Sequence, residues 1–222
     1  MRIDLKSRDG RIMYSLKMEG NTFGKTLERA CKDGVDPSGV DLRMADLSHR
    51  DFSRAQFSGA DFSGADFSHS LLDGCDFRDA KMQRAKFFSA DIRSSRFDSA
   101  DLSESEFSYA QLRNVSFRWC GMARSGFYKA NANILLASNA YMVGSLFINS
   151  TINEADFSGA NLFGSNWFSA RVKASDFAKS NLTLCNATDA VFADCGFTDV
   201  RGVALDSKIT RSANSFSASR GG

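Results

Sequence analysis

The chain has 222 residues, with 28 basic side chains against 26 acidic ones, a formal net charge of +2 and a hydrophobic content of 43%. So even a balance gives no reason to expect a nucleic-acid partner, and no apolar run approaches the ~20 residues of a membrane-spanning helix. Twenty phenylalanines with a single proline call for a structural explanation, and two histidines leave acid–base catalysis few players.

In chain order, residues 3–16 read as two short strands around Asp9-Gly10, a hairpin turn signal. The charged start, Met1 to Arg11, lacks the apolar stretch of a signal peptide, so a cytoplasmic protein is expected. Residues 22–32 are predicted as a short helix ending at Gly34, with Phe23, Leu27 and Cys31 on its apolar face. Residues 1–35 then form a cap, because a solenoid must cover its open apolar end.

From residue 36 to 202 a large apolar residue recurs every five positions. These centres run from Leu42, Leu47, Phe52 and Phe57 to Phe197 as 32 consecutive units without insertion or deletion. Two residues before each centre sits a small residue, Arg50 and Leu135 excepted. A period of five fits neither the 3.6 of a helix nor the 2.0 of a strand. It requires a corner every five residues, with the centre and the small residue inward and three residues outward. Four corners close a square coil of 20 residues, and coils stack at the ~4.8 Å strand spacing. Residues 20 apart then share a wall. One wall reads Phe57, Phe77, Phe97, Phe117, Ala137, Phe157, Phe177, Phe197, and the opposite one Leu47, Phe67, Phe87, Phe107, Phe127, Phe147, Trp167, Ala187. A plain five-residue pattern has no reason to sort aromatics by twenties; a four-sided coil stacks them in columns. The coil at 130–139 is the expected weak point, since Ala132 and Ala137 replace large centres while Leu135 fills a small slot.

Ala60-Asp61-Phe62-Ser63-Gly64 and Ala155-Asp156-Phe157-Ser158-Gly159 match A-(D/N)-(L/F)-(S/T)-G in full. The chain resembles the pentapeptide-repeat family over about residues 36–202. The resemblance implies an all-β fold, a right-handed quadrilateral β-helix of about eight coils. The segment before the repeats resembles N-terminal segments of bacterial and prophage members. Residues 203–222 are expected to close the last coil and end in a flexible tail.

No catalytic, cofactor or metal site is predicted. Cys75, Cys120, Cys185 and Cys195 occupy small inward positions as free thiols, and the serines of the repeat have no activating base at fixed spacing. His49 and His69, 20 apart, should stack beside Asp46 and Asp66. Outward charges alternate in columns: Asp61, Lys81, Asp101; Asp66, Lys86, Glu106; Arg84, Glu104, Arg124; Arg78, Asp98, Arg118. This favours adjacent coils and argues against a basic nucleic-acid stripe. Asp41 over Asp61 and Asp46 over Asp66 are either turn-bonding residues or a modest acidic patch. The anomaly is apolar: Phe88, Tyr128, Ile148 and Phe168 lie in one outward column, with Tyr141, Val143, Leu146 and Phe163 as neighbours. Such a patch marks a protein interface, with a partner or with a second copy as a homodimer. The expected function is a non-catalytic protein-interaction scaffold in the cytoplasm. The resemblance implies DNA gyrase or topoisomerase IV as partner, through DNA mimicry; the alternative is a structural or accessory protein of a phage or prophage particle.

Overall fold

The computed structural model describes residues 1–202 and 209–210. Strands β1 (Arg2–Lys6) and β2 (Ile12–Lys17) pair antiparallel, and Gly10 supplies the positive φ of their turn. Helix α1 (Phe23–Lys32) starts at Thr22, whose hydroxyl accepts from the Lys25 N–H at 3.2 Å, satisfying one of the four free amides of a helix start. Thr22→Ala is expected to cost about 1 kcal/mol locally. Amide exchange at Lys25 and Thr26 checks this, rising roughly fivefold while the repeat amides stay unchanged.

The buried face of α1 is Gly24, Thr26, Leu27 and Ala30, which corrects the predicted Phe23–Leu27–Cys31 face. Phe23 is 47% exposed and Cys31 half-buried. The reason is a close approach: a Cβ on Gly24 would lie 2.9 Å from the Asp46 carbonyl. The helix therefore seats on the first coil at Gly24, one position past Phe23. Arg50 breaks the small-residue rule at this seat. It is half-buried, with its guanidinium 3.7 Å from Glu28 of the helix.

Beyond the cap, 31 of the 32 centres are buried and Ala187 is half-buried. The same three hydrogen bonds recur along the coils. The Phe62 N–H donates to Lys81 O of the next coil at 2.7 Å, and the Lys81 N–H returns one to Ala60 O at 2.9 Å. At the corner the Ala65 N–H closes back on Phe62 O at 2.9 Å. The residue two past each centre has positive φ throughout, at 26 non-glycine positions among them. This left-handed residue turns the corner, at a cost of ~1–2 kcal/mol for a side chain other than glycine.

The four walls are named here by their first centres: Leu42 (first), Leu47 (second), Phe52 (third) and Phe57 (fourth). The third wall carries a parallel sheet of β3 (Gln111–Ser116), β4 (Asn131–Leu136), β5 (Thr151–Asn153), β6 (Arg171–Lys173) and β7 (Val191–Ala193). Partners lie 20 apart, as in Leu112↔Ala132↔Ile152. Strand β8 (Ile209–Thr210) pairs with β7 at Phe192↔Ile209, three residues short of a full coil. The rest of the predicted closing segment and tail lies outside the described residues. Among the described residues, no helix is long and apolar enough to cross a membrane.

The aromatic columns stack as the twenty-residue spacing requires. Fourth-wall centroids lie 5.1 Å apart for Phe57–Phe77 and 4.8 Å for Phe77–Phe97. The second-wall column runs to Phe147–Trp167 at 4.0 Å. The two columns meet edge to face, as in Phe67–Phe77 at 5.9 Å. In the coil at 130–139, Leu135 is buried beside Ala137 and β4 pairs with β3 without a break. A buried Leu135 and an unbroken register are what local repacking, rather than a loop, requires.

Candidate functional site

The geometry inside the coils repeats from one coil to the next, and the outward side chains are what differ between coils. The aspartates that open many units are first of all turn residues. Asp61 accepts from the Ser63 N–H at 3.1 Å and Asp46 from the Ser48 N–H at 3.0 Å. Asp66 accepts from the Ser68 N–H at 2.9 Å, and Asp41 holds Arg43 at 2.8 Å. Hydrogen bonds from Ser48 keep the Asp46 carboxyl below its usual range, and those from Arg43 do the same for Asp41. The four carboxylates of the candidate acidic patch each serve their own corner.

The predicted charge columns form an ion-pair ladder at one place. Glu104 lies between Arg84, at 2.8 Å, and Arg124, and the two guanidiniums hold its carboxyl down to about 2. Elsewhere the arginine turns to an acid two residues away. Arg78 pairs with Asp76 at 2.6 Å, not with Asp98, and Asp98 meets Arg96 at 3.5 Å. The corner folds residues i and i+2 closer together than adjacent coils bring long side chains.

Burial pushes the thiols of Cys31 and Cys75 up to about 12, and that of Cys195 to about 11, so none is a ready nucleophile at neutral pH. Cys75 donates its thiol to Phe52 O at 3.1 Å, as Ser70 does its hydroxyl to Leu47 O at 2.9 Å. His49 and His69 stack at 4.7 Å, and among the described residues no group of three or more His, Cys, Asp or Glu is placed to hold a metal.

The apolar residues gather on the outside of the second wall and its two corners. Val143 and Phe163 stand at the corner before it, Leu146 at its middle, and Phe88, Tyr128, Ile148 and Phe168 at the corner after it. Phe88, Tyr128, Leu146, Phe163 and Phe168 are exposed; Val143 and Ile148 are half-buried. Tyr141 belongs to the adjacent first wall, between Gly121 and Asn161. The structure adds Tyr109, which sequence reasoning missed. His69, Phe88, Tyr109 and Tyr128 form a continuous edge-on chain with centroids 5.5, 5.4 and 5.6 Å apart. Lys129 Nζ lies 5.6 Å from the Tyr109 ring and 5.1 Å from the Tyr128 ring. The signal was present in the spacing: 21 residues from Phe88 to Tyr109 and 19 from Tyr109 to Tyr128 are a zigzag between two neighbouring columns.

Trypsin-treated QnrB1, a plasmid-mediated fluoroquinolone resistance protein, is similar in structure. One variant has 19% identity and a TM-score of 0.63, covering 69% of this chain and 78% of that one. A second has 21% identity and a TM-score of 0.52, covering 74% and 80%. HetL, a pentapeptide repeat protein involved in heterocyst differentiation regulation from the cyanobacterium Nostoc, matches at 16% identity over 80% of this chain and 91% of that one, with a TM-score of 0.39. No curated protein sequence matches the chain. A pentapeptide repeat region model matches residues 50–127, and a model of eight pentapeptide copies matches residues 137–166. The five-residue register crosses the gap between them unbroken, and the chain belongs to the pentapeptide-repeat family.

Proposed function

We propose that this protein is a non-catalytic interaction scaffold that binds a protein partner through the second wall. One observation carries this reading: more of the exposed large apolar side chains of the coils stand on the second wall and its corners than on the other walls together, at positions the coil often fills with Ser, Asp, Asn or Arg. The fold does not require them there, and an apolar patch rimmed by polar residues is the mark of a protein contact. Burying one such side chain yields ~1.5–3 kcal/mol, so a few can anchor a complex once association costs are met.

A bacterial type II topoisomerase is the first partner to test, since family resemblance implies it and QnrB1, a resistance protein against fluoroquinolones, has this fold. The purified chain is added to a gyrase supercoiling reaction with and without a fluoroquinolone. A change in the supercoiled product supports the reading, and no change at a tenfold molar excess removes topoisomerase as the partner. Tyr128→Ser with Ile148→Ser should abolish the effect while leaving the melting temperature within about 2 °C, as expected for outward positions that are not part of the core. Full activity in that double variant would show that the second wall is not the binding face.

A further inference from the structure

Resting on the reading of the second wall as a protein-binding face, we propose that its occupant is a second copy of this chain, packed antiparallel about a two-fold axis midway between Gly126 and Leu146. An isologous contact needs a surface complementary to itself. This wall and its corners have that property in both size and charge.

The twenty-residue ladder makes the test arithmetical, because Gly126 pairs with Leu146 one coil on, and Leu146 with Asn166. With antiparallel rods each column faces itself, reflected through the axis. Residues nearest the axis face those 20 later, and residues one coil out face those 60 later. Leu146 then meets Gly126 of the second copy, and Val143 meets Ala123. One coil further out, Phe163 meets Ser103, Phe168 meets Ser108, and Tyr109 meets Ser169. Tyr128 meets Ile148, the two apolar residues closest to the axis at their corner. At each of these steps but the last, a bulky side chain on one copy lies over a small one on the other, as close packing of two surfaces demands.

The charges follow the same division. The lower half of the wall carries Lys86, Glu106 and Lys129, and the Arg84–Glu104–Arg124 ladder lines its corner. The upper half carries one charge at these positions, Asp189 at its last corner, which the reflection sets opposite Ser89. The reflection sets Lys129 opposite Asn149, Glu106 opposite Asn166 and Lys86 opposite Asn186, a hydrogen-bonding amide against each charge. Arg124 and Glu104 fall over Gly144 and Gly164. No like charges meet. A parallel pair would set Arg124 against Lys129 of the second copy, so the charges select the antiparallel arrangement. Six coils of this wall with both corners present roughly thirty outward positions, about the ~20–30 residues a side of a standard interface.

The test uses the full chain in sedimentation equilibrium at up to about 100 µM, where even a weak contact would be populated. The expected mass is twice the monomer's 24.3 kDa. Ser108→Phe alone and Phe168→Ser alone should each weaken the dimer roughly tenfold or more, the first by collision and the second by leaving a void. The two together exchange knob and hole across the axis and should restore association to within about threefold of the wild type. Positions equivalent to Ser108 already hold Phe at 88 and 168, so these variants are compatible with the coil, and circular dichroism checks their folding. A monomeric wild type overturns the proposal. A dimer that the double swap fails to restore overturns this register. If the monomer still acts on gyrase, the scaffold reading stands without self-association; if it neither associates nor binds, both readings fall.

Discussion

Phe97→Ala is expected to remove about 3–5 kcal/mol of folding stability, the usual range for truncating a fully buried phenylalanine. Phe97 has no exposed surface. Its ring lies 4.8 Å from Phe77 below and 5.1 Å from Phe117 above, with Phe87 edge-on at 5.9 Å. Each aromatic pair adds ~0.5–1.5 kcal/mol beyond area burial, so the upper half of the range is expected. Urea unfolding followed by circular dichroism measures it. Coils touch only their neighbours, so the loss should also appear as a less cooperative transition. An unchanged midpoint would show that the stacked column is not what holds the rod together. Phe23→Ala, at an exposed position of the cap, is the control and should cost about 0.5 kcal/mol or less.

The second large effect is a coupling. Leu135→Ala should cost about 2–5 kcal/mol, because Ala137 beside it cannot fill the space. Ala137→Phe should cost about 1–3 kcal/mol by overpacking against Leu135. Made together they write a standard Ala-x-Phe unit and place a ring between Phe117 and Phe157, completing the fourth-wall column. The double variant is expected within about 1 kcal/mol of the wild type, with a coupling energy near the top of the ~0.5–3 kcal/mol usual for contacting residues. Additive losses would mean that Leu135 and Ala137 occupy separate spaces, and the repacking account would fail.

The interior was legible in the sequence because its rule is simple: two inward residues in five, repeated without a gap, have few ways to pack. The helix face was not, because it depends on where α1 can approach the coil. That is set by the missing side chain of Gly24, and the aromatic ring of Phe23 gave the wrong cue. Of the charge columns, the pairing of Arg78 with Asp98 failed for a local reason: within a corner, Asp76 is nearer to Arg78 than Asp98 on the next coil is. Tyr109 escaped notice because a strict spacing of 20 hides contacts at 19 and 21. Such diagonal contacts arise where two corner positions point outward side by side.

The left-handed corner residue has a consequence for how this sequence can change. Glycine, which weakens most regular structure, would relieve strain at each of the 26 corners that now hold a bulkier residue. Those side chains therefore stand where the backbone would be better off without them. Ile134, Tyr109, Trp119 and Lys129 are among them, and Trp119 is 64% exposed. A corner is thus a display position whose occupant is free to be set by what it meets outside. Stability held back at the corners is available to a designer who wants a tougher rod and can give up the surface message.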